Sequence, residues 1–178
     1  RKAGYPVEAQ YYLNDMGRQI AIVAWGVKHL HYDRLPGEKG DDFIVRHYVE
    51  ANRIAKEKPE IEPEFDEMME KIEAGDPETV KLFHDSVETC AQGIQETLAS
   101  MNVHHDNFVR ETTFLWNGEM QRVLDRVQAL PEVEHDGQMM YLDLSGEGFG
   151  NRYVLRRSNG TSVYAARDLA FHLWKNSR

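Results

Sequence analysis

A chain of 178 residues with 41% apolar content can bury one core of its own or form part of a larger body. Its longest apolar run, Ile20 to Trp25, falls far short of the ~20 residues that cross a bilayer, and the single cysteine, Cys90, excludes an internal disulfide framework, so no membrane partner and a cytoplasmic location are expected. The formal net charge of −9 is uneven: nine acids against one lysine between Glu60 and Glu78 would repel a phosphate backbone, whereas from Asn151 to Arg178 six Arg or Lys face the single Asp168.

The opening RKAGYPVEAQ lacks the apolar segment that a secretory leader needs. Val7 to Leu13 is β-prone and partly alternating, and it runs into a polar turn, NDMGRQ, that contains Gly17. Gln19 to Leu30 reads as a largely apolar helix, so strand, turn and buried helix make half of an α/β unit. Open α/β sheets bind ligands beyond the carboxyl ends of their strands, and that is where Asn14 and Asp15 fall. A second helix is expected after an Asp41–Asp42 cap, with Phe43, Ile44, Tyr48, Ala51, Ile54 and Ala55 on one face and a break at Glu60 to Pro63. A short helix from Phe65 to Ala74 ends at Gly75. Asp76, Pro77 and Glu78 restart one with a cap, a first-turn proline and an acid at the positive helix end. Its apolar stripe runs from Val80 and Phe83 through Val87, Cys90 and Ile94 to Leu98 and Met101, a core face rather than a cofactor box. After NVHHDNF and ETTFLWNG a helix spans Glu119 to Leu130. The remainder is β, with Val133 to His135, a turn at Asp136-Gly137, Met139 to Leu144 and Arg152 to Arg157. The hairpin signal Asn159-Gly160 then leads into a closing helix.

Four short signals read as plain structure. GEGFG (Gly146 to Gly150) precedes a strand where a dinucleotide loop needs a helix, so it is a connector. His104 and His105, adjacent in an expected strand, point to opposite faces and do not chelate one ion, so no metal is assigned. Asn159-Gly160-Thr161 is a turn, and Cys90 is a packed thiol. Tyr164 and Asp168 differ. If a helix begins near Tyr164, the two share a face, and a cation can be held between an aromatic ring and a carboxylate. The alternative, that Asp168 pairs with Arg167 or caps the helix, stays open at this level.

YYLNDMGRQIAIVAWG (Tyr11 to Gly26) and YVLRRSNGTSVYAARDLAFHLWK (Tyr153 to Lys175) are similar to segments of the arginyl-tRNA synthetases in their archaeal-like form. GIQETLASMNVHHDNFVRET (Gly93 to Thr112) resembles a looser middle segment of that family, so the likeness covers nearly the whole chain. The resemblance implies an α/β fold class: part of a Rossmann-like class I synthetase catalytic domain with a mostly helical insertion and β-hairpins. Residues 1–40 would be a strand–helix piece of that domain, 41–150 the helical insertion with a small β region, and 151–178 the hairpin-to-helix return. The implied parent enzyme joins L-arginine to ATP, bound with magnesium, as arginyl-adenylate. It then passes the arginyl group to the terminal ribose of arginine tRNA, which arginine activation itself typically requires, and it has no tightly bound cofactor. The match to LYxTRD puts Tyr164 and Asp168 in the guanidinium pocket, and VRET adds Glu111 as a second carboxylate. A guanidinium is planar and permanently charged and suits bidentate carboxylates, whereas lysine offers only a point charge. Asn14, Asp15 and Gln19 match the family turn (N/G)-D-x-G-x-Q near the amino acid and the tRNA end.

The family's His-x-Gly-His motif would lie just before Arg1, and its Lys-Met-Ser-Lys-Ser-type loop and anticodon-binding domain well after Arg178. None of these is in the chain, and no catalytic residue is assigned within it. The chain, which starts at Arg1 and stops in or just after a helix, is therefore expected to be an excised, inactive piece whose cut edges allow self-association. Two other readings compete. One is another class I synthetase, for cysteine or methionine, against which the Tyr164–Asp168 pair and the lack of metal-ligand cysteines argue. The other is a non-catalytic, synthetase-derived helical interaction module.

Overall fold

The computed structural model describes residues 3–148 and 152–177. The fold is mixed α/β, rich in helix and with two small sheets, and the chain divides into two compact units, Arg1–Arg110 and Glu111–Arg178. The boundary between the units, after Arg110, falls inside the 41–150 segment read from the sequence.

In the first unit, strand β1 (Gln10–Leu13) pairs in parallel with β2 (Asn107–Arg110), with Gln10 opposite Asn107 and Leu13 opposite Arg110. Parallel strands cannot be joined by a hairpin. The crossover carries four α-helices, α1 (Arg18–Leu30), α2 (Gly40–Glu57), α3 (Glu62–Glu73) and α4 (Pro77–Ser100), with one 3-10 turn, Pro59–Ile61, between α2 and α3. Gly17 precedes α1 at φ 91, a left-handed value that carries no Cβ penalty in glycine, and it turns the chain from β1 into the helix. Ala21, Trp25, Ala51, Phe65, Ile72 and Phe83 form the core where the helices meet. Trp25 meets Phe65 edge-on at 5.8 Å, and its indole N–H donates to Glu64 Oε2 at 2.7 Å, so an otherwise apolar side chain keeps its polar handle satisfied. The acidic stretch supplies the outer face of α3: Phe65, Met69 and Ile72 turn inward at helical spacing, and Asp66 and Glu67 between them face water.

Two local expectations change and a third holds. Asp41 and Asp42 lie in the first turn of α2 and do not cap it. The cap position is Lys39, whose backbone is extended, because the helix has to begin at Gly40, where it crosses α4 at close range. His104 and His105 precede β2 instead of lying within a strand. The ring of His105 packs on Tyr11 at 5.3 Å and on Phe108 at 5.7 Å. The predicted restart at Asp76 is present, with Asp76 capping α4 and Pro77 in its first turn.

The second unit begins with α5 (Glu111–Trp116), a helix not read from ETTFLWNG, and α6 (Glu119–Val127), which ends three residues short of Leu130. A three-stranded antiparallel sheet follows, in the order β3 (Val133–Asp136), β4 (Met139–Leu142), β5 (Tyr153–Arg156). The β3–β4 hairpin turns at Gly137, φ 60. Glu134 and Tyr141 stand opposite each other across it, and the phenol donates to Glu134 Oε2 at 2.6 Å. Helix α7 (Tyr164–Asn176) closes the unit, packing Phe171 and Trp174 on Phe114 of α5, each at 5.6 Å between ring centres. Ser145–Glu147 makes one 3-10 turn that runs into the GEGFG connector, of which Phe149 and Gly150 lie outside the described residues.

Candidate functional site

The corner between β5 and α7 is built from short-range chemistry. Asn159 Oδ1 accepts from the Thr161 amide at 3.1 Å and from the Thr161 hydroxyl at 2.7 Å, and Gly160 takes φ 84. The Arg157 amide donates to the Thr161 carbonyl at 2.9 Å, and Ser162 forms a single antiparallel bridge with Arg156. The Asn-Gly signal therefore marks a tight return that leads straight into a helix, rather than a second full strand.

Helix α7 starts at Tyr164, after an extended Val163. Tyr164 and Asp168 are thus one helical turn apart on one face. Tyr164 is 69% exposed and Asp168 is half-buried. Among the described residues neither the Tyr164 hydroxyl nor the Asp168 carboxylate makes a hydrogen bond or an ion pair. The pairing of Asp168 with Arg167 that the sequence leaves open does not form, because Arg167 turns inward. Its Nε donates to Glu111 Oε1 at 2.7 Å, and its Nη1 donates to Ser162 Oγ at 2.7 Å and to the Ser162 carbonyl at 3.1 Å. Glu111 is 3% and Arg167 6% exposed, so this is a buried ion pair. Glu111, the first residue of α5, is therefore already engaged by an arginine of the chain, and a guanidinium arriving from solution would share that carboxylate with Arg167.

Asn14, Asp15 and Gln19 belong to the first unit, just past the carboxyl end of β1. Asn14 and Gln19 are exposed, whereas Asp15 is 5% exposed, with Oδ2 3.9 Å from Nη1 of Arg110. Nη2 of Arg110 donates to Glu88 Oε2 at 2.7 Å, so a carboxylate from α4 and one from the β1–α1 turn flank a single guanidinium at the end of β2. Arg110, Glu88 and Arg167 were not singled out from the sequence. Arg167 alone left a trace there, as the residue beside Asp168, three positions after Tyr164. Among the described residues no three His, Cys, Asp or Glu side chains gather into a metal cage. Cys90 lines an apolar cavity of about 210 Å³ with Leu13, Ile20, Val87 and Ala91, and burial pushes its thiol up, away from the reactive thiolate form.

Comparison with known proteins identifies the family of the chain. The model of the family "tRNA synthetases class I (R), catalytic domain" matches residues 1–176. An arginine–tRNA ligase of Methanocorpusculum labreanum is 84% identical over the whole chain, which covers 32% of that protein. That of Methanoregula boonei is 53% identical over 99% of the chain, again 32% of the relative. Among solved structures, the Thermus thermophilus arginyl-tRNA synthetase superimposes with a TM-score of 0.73 at 28% identity, over 97% of this chain and 30% of that one. The chain spans about a third of the length of the curated relatives it matches. It belongs to the class I arginyl-tRNA synthetases, as part of their catalytic domain.

Proposed function

We propose that this chain supplies the arginine-recognising part of an arginine–tRNA ligase. In that reaction the arginine carboxylate attacks the α-phosphorus of ATP and releases pyrophosphate. The arginyl group of the adenylate then passes to a ribose hydroxyl at the tRNA terminus, releasing AMP. Tyr164 and Asp168 bind the substrate guanidinium, with Glu111 as the second carboxylate of the site, and Asn14, Asp15 and Gln19 serve near the amino acid and the tRNA end. Magnesium would accompany ATP as the counter-ion of its phosphates.

The observation that carries the proposal is the Tyr164–Asp168 face of α7, where a carboxylate without an ion-pair partner among the described residues sits one turn from an exposed aromatic ring. A guanidinium there gains charge-assisted hydrogen bonds from the carboxylate and the quadrupole of the ring, and its planar fork uses both better than an ammonium does. A hydrogen bond to a charged group is worth ~1.5–3 kcal/mol, which is roughly 10- to 150-fold in affinity. In the full-length protein, Asp168→Asn is expected to raise the arginine KM by about that factor while the KM values for ATP and tRNA stay within about twofold. Citrulline, which carries a neutral ureido group in place of the guanidinium, is expected to bind far more weakly than arginine to the unaltered protein and to close most of that gap in Asp168→Asn. An unchanged arginine KM would sink the assignment of Asp168 to the guanidinium site, whereas no aminoacylation by the unaltered full-length protein would make the non-catalytic interaction module the reading to pursue.

A further inference from the structure

Arg167 is buried beside the proposed arginine site, yet its guanidinium points into the protein. Its three contacts, to Glu111 Oε1, Ser162 Oγ and the Ser162 carbonyl, tie the first residue of α5 and the corner before α7 to α7 itself. Ser162 in turn bridges to Arg156 at the end of β5, so one side chain links strand, corner and two helices. Helical spacing places residues 164, 167 and 168 on one flank of α7. On that flank Tyr164 is exposed, Asp168 half-buried and Arg167 buried. Glu111, Arg167 and Asp168 carry formal charges that add to −1, the complement of one guanidinium. Without Arg167 the sum is −2, and removing one member of a buried ion pair is costly.

We infer that Arg167 is the positioning residue of arginine recognition: by holding Glu111 and Ser162 it aims the first turn of α7, so that Tyr164 and Asp168 meet the substrate guanidinium at one net negative charge. This rests on the reading of Tyr164 and Asp168 as the arginine site. The guanidinium fork reaches Glu111 through Nε and Ser162 through Nη1 at the same time. Lysine keeps the charge but offers a single ammonium that cannot occupy both places.

The test is steady-state aminoacylation by the full-length protein carrying Arg167→Lys, Ser162→Ala or Asp168→Asn, with thermal unfolding of each. Arg167→Lys is expected to raise the arginine KM about tenfold, with kcat and the KM values for ATP and tRNA within about twofold and the melting temperature within a few degrees. Ser162→Ala, which removes the hydroxyl contact and leaves every charge in place, is expected to raise the arginine KM by about threefold. If Asp168→Asn raises the arginine KM and Arg167→Lys does not, the arginine site stands and the positioning role falls. If neither moves it, the site assignment itself fails and the role goes with it. A drop in kcat and a rise in all three KM values that track a collapse in melting temperature would make Arg167 structural only, which also overturns the role. Should Arg167→Lys not fold, Ser162→Ala decides by the same split between arginine and the other two substrates.

Discussion

Asp76 holds the start of α4 by accepting from the Thr79 hydroxyl at 2.6 Å and the Thr79 amide at 2.9 Å, and these bonds, the hydroxyl's first, keep its carboxyl below the usual range. A carboxyl whose folded value lies below its unfolded value stabilises the fold above the unfolded value, ~3.9 for aspartate, and loses that contribution as pH falls through the folded value. The melting temperature of the unaltered chain should therefore exceed that of Asp76→Ala by a constant margin at neutral pH. The margin should begin to shrink near pH ~4 and be mostly gone at the acid end of the range. A margin that widens on acidification would mean that the cap does not act through the ionised carboxylate. Asp76, Pro77 and Glu78 were legible in the sequence because capping is local: donor and acceptor lie three residues apart. The Glu111–Arg167 pair was not, because its partners are 56 residues apart and nothing in the neighbourhood of either says that it is buried. The same gap explains how Glu111 could be read as a ligand for a guanidinium without showing that a guanidinium of the chain already meets it.

At the scale of elements, the crossing of α2 and α4 is set by two glycines. A Cβ added at Gly93 would lie 2.5 Å from the Asp41 amide nitrogen and closer still to the Asp41 carboxylate, and one added at Gly40 would run into the Thr89 carbonyl. Alanine at position 93 gains roughly 1 kcal/mol of helix propensity over glycine, whereas forcing atoms into a filled contact costs ~1–3 kcal/mol. The obstacle here includes backbone, which cannot swing aside, so the steric cost wins. Gly93→Ala is expected to lower the urea midpoint of the chain with an unchanged slope, while Gln92→Ala, on the exposed side of the same turn, stays within about 0.5 kcal/mol. A stabilised Gly93→Ala would show that the helices can part at no cost. The close approach also explains why the start of α2 was misplaced: Asp41-Asp42 reads as a cap by residue type, but the element begins where glycine lets two backbones meet. Apolar stripes, by contrast, were readable as core, because Ile44, Ala51 and Ala55 of α2 and Phe83 and Val87 of α4 recur at helical spacing. The brief α5 carries too few residues for a period to show.

At the scale of the molecule, what the chain holds of its parallel sheet is small. Among the described residues β1 and β2 pair only with each other, while purely parallel sheets elsewhere are larger and covered on both faces. The relatives are about three times as long as the chain, and neither a His-x-Gly-His nor a Lys-Met-Ser-Lys-Ser string occurs in it. Adenylate formation is catalysed chiefly by donors fixed around the charge that builds on the phosphate, and the loss of one such donor typically costs ~10²–10³ in rate. Residues 1–178 alone should therefore show ATP–pyrophosphate exchange at background, with arginine and tRNA supplied, and the full-length protein should show exchange that depends on both. Sedimentation of residues 1–178 in the same buffer is expected to reveal self-association through the unpaired strand edges, and adding the remainder of the protein in one chain should abolish it. Exchange above background by residues 1–178 would mean that the phosphate-stabilising groups lie within this chain. The search for them would then begin with Arg110, whose Nη1 is buried beside Asp15 without a hydrogen bond among the described residues.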